Sequence, residues 1–221
     1  MSFLSFYTQR YQLAHQRTGQ MTNDFQAAWE LAKACFDLGE FATNDTQRAA
    51  AAEEGIAASR RAIQLNPQHP AGHYYLGMNM GQLARTKQLS ALRMVKEMQD
   101  AFYKAQQLDP SFDFAGADRC LGLLYRDAPG WPLSVGNRTL ARQHLLQALQ
   151  LAPLYPENPL NWAETLWQWR QIKESREQAV AVERAFAHAR NQLTGAVWAA
   201  SWRDWTNRWN ILTNRWSQTG K

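Results

Sequence analysis

Arg61-Ala-Ile-Gln-Leu-Asn-Pro67 is the stretch that decides the fold, because it occurs three times at a fixed spacing. Lys104-Ala-Gln-Gln-Leu-Asp-Pro110 and Gln147-Ala-Leu-Gln-Leu-Ala-Pro153 align with it without gaps, so successive prolines are 43 residues apart. The columns that stay identical besides the proline are Ala62, Ala105 and Ala148, then Gln64, Gln107 and Gln150, then Leu65, Leu108 and Leu151. A repeat of this kind is typical of helical units that stack one on the next.

Each repeated column has a physical reason in a helix that packs against neighbouring helices. Alanine permits close approach, the leucine three residues later shares its face, and proline ends the helix. Two further columns are core positions of the same helix. Eight residues before each proline stand Ser59, Phe102 and Leu145, and twelve residues before it stand Gly55, Met98 and Ala141. Leu76-Gly77 and Leu121-Gly122 mark the preceding helices. These columns resemble the tetratricopeptide (TPR) repeat over about residues 24–170, with about nine residues added to its usual unit of about 34.

A second resemblance covers about residues 66–170. Leu121-Gly-Leu-Leu-Tyr125, Ala128-Pro-Gly-Trp-Pro132 and Ala152-Pro-Leu-Tyr-Pro-Glu-Asn158, with Gly136 and Ala141 between them, carry it. This pattern is similar to the TPR-like proteins grouped with TatT, the T component of tripartite (TRAP) transporters. The resemblance implies a helical solenoid that gathers into rings and binds small apolar ligands.

We therefore predict an all-α fold, a TPR-like right-handed helical solenoid of about three to four helix pairs with a C-terminal amphipathic capping helix. The chain is expected to form a single domain, residues 1–221. Its units are an N-terminal helix in 1–23, repeats in 24–67, 68–110 and 111–153, a fourth, irregular unit in 154–193, and a Trp-rich capping helix in 194–221. The second helix of the middle repeat is expected to run from Leu89 to Leu108.

Tryptophan is concentrated near the C-terminus, where eight of the ten lie beyond residue 160. Steps of four and three residues place one set on a single helix face: Trp198, Trp202, Trp205, Trp209, Leu212 and Trp216. This stripe predicts a helix that caps the hydrophobic end of the solenoid, or else an interface in a homo-oligomer. Binding to an anionic membrane surface or to single-stranded nucleic acid is a weaker alternative, and we predict no nucleic-acid partner.

The composition argues against several classes of protein. The formal net charge of +5, most of it in residues 190–221, permits an anionic partner but does not require one. No run of apolar residues is long enough to span a membrane. The two cysteines have no paired spacing, and His69 and His73 lack a third metal ligand. No catalytic or nucleotide-binding motif is present, so we predict no enzyme activity, no cofactor and no metal. The N-terminal residues predict a cytoplasmic protein, or a periplasmic one if an export signal has been removed.

TPR geometry would turn the first helix of each unit toward a concave groove. The expected lining is Tyr74, Met78, Gln82, Arg119, Leu123, Arg126 and Asp127, followed by Asn161, Thr165 and Trp169 in the fourth unit. This set predicts a protein- or peptide-binding scaffold, or alternatively a small-molecule component similar to TatT that binds an apolar ligand with an anionic end. A third possibility is that the N-terminal helix or the Trp-rich helix fills the groove.

Overall fold

The computed structural model describes residues 2–87 and 91–219, and across those residues the chain is helical with no strand. The helices are α1 (Phe3–Gln20), α2 (Phe25–Glu40), α3 (Asp45–Leu65), α4 (Pro70–Ala84), α5 (Ala91–Leu108), α6 (Phe112–Asp127), α7 (Arg138–Leu151), α8 (Glu157–Gln168), α9 (Ile172–Glu177), α10 (Ala179–Ala189) and α11 (Ala196–Gln218). The predicted all-α class is confirmed. The expected start of the fifth helix at Leu89 lies outside the described residues.

The repeated segment marks the ends of three helices. Helices α3, α5 and α7 end at Leu65, Leu108 and Leu151, each two residues before its proline. Each of these helices packs against the helix before it, in the pairs α2–α3, α4–α5 and α6–α7, and α2 and α6 both also contact α4. The added length of the third unit lies in the connection 128–137, between α6 and α7.

Small residues are buried where these helices cross. Ala62, Ala105 and Ala148 are all buried, whereas the glutamines two residues later are exposed. A methyl group added to Gly77 would come within 2.6 Å of the Phe102 ring, and one added to Gly122 within 2.6 Å of Leu145. The Leu-Gly pairs therefore permit the close approach of α4 to α5 and of α6 to α7.

The fourth unit departs from the paired pattern, because α8 is followed by two short helices. The break comes at Arg170, whose φ of 63° is left-handed. The Arg170 N–H donates to the Trp167 carbonyl and the Gln171 N–H to the Leu166 carbonyl, both at 2.9 Å. This pair of bonds forms the Schellman ending of a helix, in which glycine normally occupies the left-handed position.

Helix α11 packs its tryptophan stripe against the fourth unit. Trp205 and Trp216 are buried, and the remaining tryptophans of the stripe are partly buried in a cluster with Tyr155, Val182 and Phe186. The N-terminal half of α11 also reaches α1, where the Tyr7 hydroxyl donates to the Val197 carbonyl at 3.3 Å. The stripe is therefore covered within the chain.

Candidate functional site

Helix α11 borders two open clefts, one toward α1 and α2 and one toward the C-terminal ends of α6 and α8. We name the first, of about 660 Å³, the acidic cleft. Its lining residues are Tyr7, Phe36, Asp37, Glu40, Phe41, Glu157, Ala200, Ser201, Arg203, Asp204, Trp205 and Asn207. We name the second, of about 530 Å³, the arginine cleft, and it is lined by Arg126, Glu164, Trp167, Gln168, Arg170, Arg208, Ile211, Leu212 and Arg215.

Aromatic rings form part of the acidic cleft and are held by packing between α1 and the end of α2. The rings of Tyr7 and Phe41 stack in parallel, with centroids 4.7 Å apart. Trp205 of α11 is buried on the other side of the cleft. Tyr7 and Trp205 are themselves buried, so the apolar surface open to a ligand side chain comes from the partly exposed rings of Phe36 and Phe41.

Carboxylates dominate the charge of the acidic cleft, which has four of them and a single arginine in its lining. Asp37 pairs with Lys33 at 2.8 Å, and Glu40 pairs with Arg85 at 3.0 Å. Neither of these cations lies in the cleft wall, and the same holds for the arginines that pair with Glu157 and Asp204. All four carboxylates are thus already paired with a cation. The wall presents the oxygen lone pairs that these ion pairs leave free, and these can accept hydrogen bonds from a cationic ligand.

Four residues that we expected to line the groove are instead buried, with relative exposures of 1% for Tyr74, 5% for Arg119 and 2% each for Gln82 and Asn161. Thr165, the extrapolated neighbour, is also buried. Tyr74 and Arg119 both contact Asp113 at the start of α6. Gln82 contacts Glu40 of α2, and Asn161 contacts Arg208 of α11. These side chains bind other parts of the chain and are not free to contact a ligand.

Arg119 is the centre of a buried polar network. Its guanidinium pairs with Asp113 at 3.1 Å and Glu157 at 3.7 Å, and it lies over the Tyr155 ring at 5.0 Å. It also donates to the Phe114 carbonyl at 3.1 Å, which helps to hold three successive residues, 113–115, in the left-handed region. Arg119 thus joins the start of α6 to the start of α8 and has a structural role rather than the ligand-binding role expected.

The remaining predicted site residues lie in separate places. Arg126 lines the arginine cleft, where it pairs with the exposed Asp127 at 2.7 Å. Met78 contacts the Cys120 sulfur at 3.4 Å, and Leu123 packs in a small core cluster. Trp169 lies beneath the Arg138 guanidinium, 4.5 Å from ring centroid to carbon, and lines neither cleft. The expected set does not form one site.

The cleft residues from α1, α2 and α11 were absent from the expected set. No periodicity links Tyr7, Phe36 and Ser201, because these residues are brought together by the packing of the chain's two ends. A second feature without a sequence signal is the buried pair of His144 and Asp118, whose Nδ1 and Oδ1 atoms lie 2.7 Å apart. These two residues are separated by 26 positions and come from different helices.

The described part of the chain shows little that points to metal or thiol chemistry. No group of three or more metal-ligating side chains occurs in residues 2–87 and 91–219. His69 instead caps α4, accepting from the Ala71 N–H. Burial raises the pKa of the Cys120 thiol to about 12, which keeps it protonated and unreactive at neutral pH. Within the same residues, no helix is long and apolar enough to cross a bilayer.

Comparison with known proteins gives one family for the chain. The model of the family described as Regulator of microtubule dynamics protein 1-3 matches residues 5–115. This match covers half of the chain, from α1 to the start of α6, and includes the α1 and α2 residues of the acidic cleft. No curated protein matches the chain. The chain belongs to the Regulator of microtubule dynamics protein 1-3 family.

Proposed function

We propose that this protein is a non-catalytic, TPR-like binding protein that holds a segment of a partner protein in the acidic cleft. The three helix pairs, each ending at the same repeated segment, support a TPR-like solenoid. The contacts of α4 with both α2 and α6 agree with first helices stacked side by side along a solenoid.

The observation that carries this proposal is the form of the acidic cleft. Its volume of about 660 Å³ has room for several side chains, and it is open to solvent at a rim of carboxylates. Aromatic surface combined with carboxylates suits a segment that has an apolar side chain next to lysine or arginine. An open, charged cleft supports a peptide ligand more than a wholly apolar small molecule.

The family description agrees with a protein partner. Regulation of microtubule dynamics, which the description names, acts on a protein assembly. For the chain itself we propose a protein ligand, a segment that combines basic and apolar side chains.

Selection from a random peptide library displayed on phage tests the proposal. We expect the selected peptides to combine lysine or arginine with an aromatic or aliphatic residue. Synthetic copies in which glutamine replaces the basic residues should bind at least about tenfold more weakly, because they lose the attraction to the four carboxylates. Selection of peptides without cations, or equal binding of the glutamine copies, would contradict the proposal.

A smaller apolar pocket supports the second candidate, a small-molecule binding protein similar to TatT. This pocket, of about 230 Å³, lies beside the stacked rings of Phe114 and Tyr155 and is lined further by Ala152, Pro153, Leu154, His188, Ala189, Gln192 and Leu193. It would take a compact apolar ligand. Native mass spectrometry of protein purified from its source should then show a co-purifying small molecule, and protein free of any such molecule would contradict this candidate.

A further inference from the structure

The arginine cleft concentrates positive charge on the side of α11 away from the acidic cleft. Four arginines and only one carboxylate, Glu164, line its volume of about 530 Å³. The arginines come from three separate places along the chain: Arg126 from α6, Arg170 from the turn after α8, and Arg208 and Arg215 from α11. The cleft thus exists only because α11 packs against α8.

The four arginines differ in how far their charge is already neutralised. Arg208 forms a two-point pair with Glu164, at 2.6 and 3.1 Å, and Arg126 forms one with Asp127. Arg170 and Arg215 are exposed, and neither pairs with a carboxylate among residues 2–87 and 91–219. Two guanidinium groups therefore remain available to an anionic ligand.

Arg170 occupies a position that favours glycine. Its left-handed φ of 63° is the glycine position of the Schellman ending of α8, and its N–H bond to Trp167 fixes the turn. A side chain at such a position destabilises the fold slightly compared with glycine. Strained residues of this kind occur preferentially where the side chain has a function. The side chain of Arg170 lines the cleft, so a ligand-binding role would explain why arginine stands at a position that favours glycine.

We propose that the arginine cleft is a second binding site, which takes an acidic protein segment, one with aspartate or glutamate next to an apolar residue. Every cation of the lining is an arginine, whose planar group binds a carboxylate at two points. Ile211, at 42% exposure, and the partly buried Trp167 supply apolar surface beside those charges. The volume exceeds that needed for a single anion and has room for several side chains. This site has the opposite charge preference to the acidic cleft and does not depend on it.

Fluorescence anisotropy with two labelled peptides tests this proposal. One peptide repeats Glu-Leu-Glu, and the other has glutamine in place of every glutamate. We expect only the glutamate peptide to bind, and we expect Arg170→Gly with Arg215→Gln to weaken it about tenfold, with a weaker effect at high salt. Arg184→Gln is the matched control, since it removes an exposed cation of α10 that lines neither cleft, and it should leave binding unchanged.

Arg170→Gly also separates a functional side chain from a structural one. Because glycine relieves the left-handed strain, this variant should melt about 2–4 °C higher than the wild type while binding the peptide more weakly. A lower melting temperature would overturn the functional interpretation of Arg170. Equal binding of both peptides, or binding of anionic phosphatidylserine vesicles or inorganic phosphate without binding of the glutamate peptide, would overturn the proposed ligand.

Discussion

Gly122→Ala tests the claim that the repeated Leu-Gly pairs exist to bring helices together. A methyl group at this position would lie 2.6 Å from Leu145 Cγ, 2.8 Å from its Cδ2 and 3.1 Å from its backbone nitrogen. Leu145 is itself only 1% exposed, so its side chain has little space to move away. Contact with the backbone nitrogen means that α7 as a whole must shift.

The expected magnitude follows from two opposing terms. Replacing glycine by alanine inside a helix gains about 0.5–1 kcal/mol from backbone propensity. Overpacking a close helix contact costs about 1–3 kcal/mol, and this term is larger. We therefore expect Gly122→Ala to lower the free energy of unfolding by about 1–2 kcal/mol.

Urea denaturation followed by circular dichroism measures this change, and Gly19→Ala is the matched control. Gly19 lies near the end of α1, and an added methyl group there meets nothing within 4 Å. The control should therefore be neutral or more stable by up to about 1 kcal/mol. If Gly122→Ala stabilises the protein as the control does, the close packing of α6 on α7 is not what the glycine provides.

Three further perturbations have distinct expected outcomes. Arg119→Met should lower the free energy of unfolding by about 3 kcal/mol, because Asp113 and Glu157 lose their buried cation, whereas Arg126→Met should change it by less than about 1 kcal/mol in the same urea titration. Burial raises the pKa of Tyr74, Tyr75 and Tyr155 above the ordinary value of 10.0, so stability present below that pH should be lost as the pH rises and the unfolded chain releases these protons; tyrosinate absorbance should then appear together with unfolding. Truncation after residue 194 uncovers the apolar cluster beneath the stripe, and the shortened chain should aggregate or bind a hydrophobic dye.

The repeat columns predicted the helix pairs well, because each column reflects a contact between neighbours in sequence. Ala62 and its counterparts are buried, and the helices end where the prolines indicated. These features could be predicted because they depend only on the spacing of residues along one helix and on the size of their side chains.

The clefts could not be predicted, since they depend on where α11 packs. The tryptophan stripe predicts an amphipathic helix but not its partner, and only the structure shows that Trp205 lies against Tyr155, with ring centroids 5.5 Å apart. The burial of Arg119 could not be predicted, because its partners Asp113 and Glu157 lie at the starts of two helices that are far apart in the sequence. The break after α8 was also hidden, because arginine stands where a helix-ending glycine would have indicated it.

The most direct test of the central claim, that the acidic cleft holds a partner segment, is the dissociation constant of a selected basic peptide for a cleft-filling variant. Ser201→Trp places an indole within the cleft, whereas Asn210→Trp adds the same side chain to an exposed position of α11 outside both clefts. We expect the first variant to weaken binding at least about tenfold and the second to bind as the wild type does, with similar melting temperatures for both. Unchanged binding to Ser201→Trp would show that the segment binds elsewhere and would contradict the account.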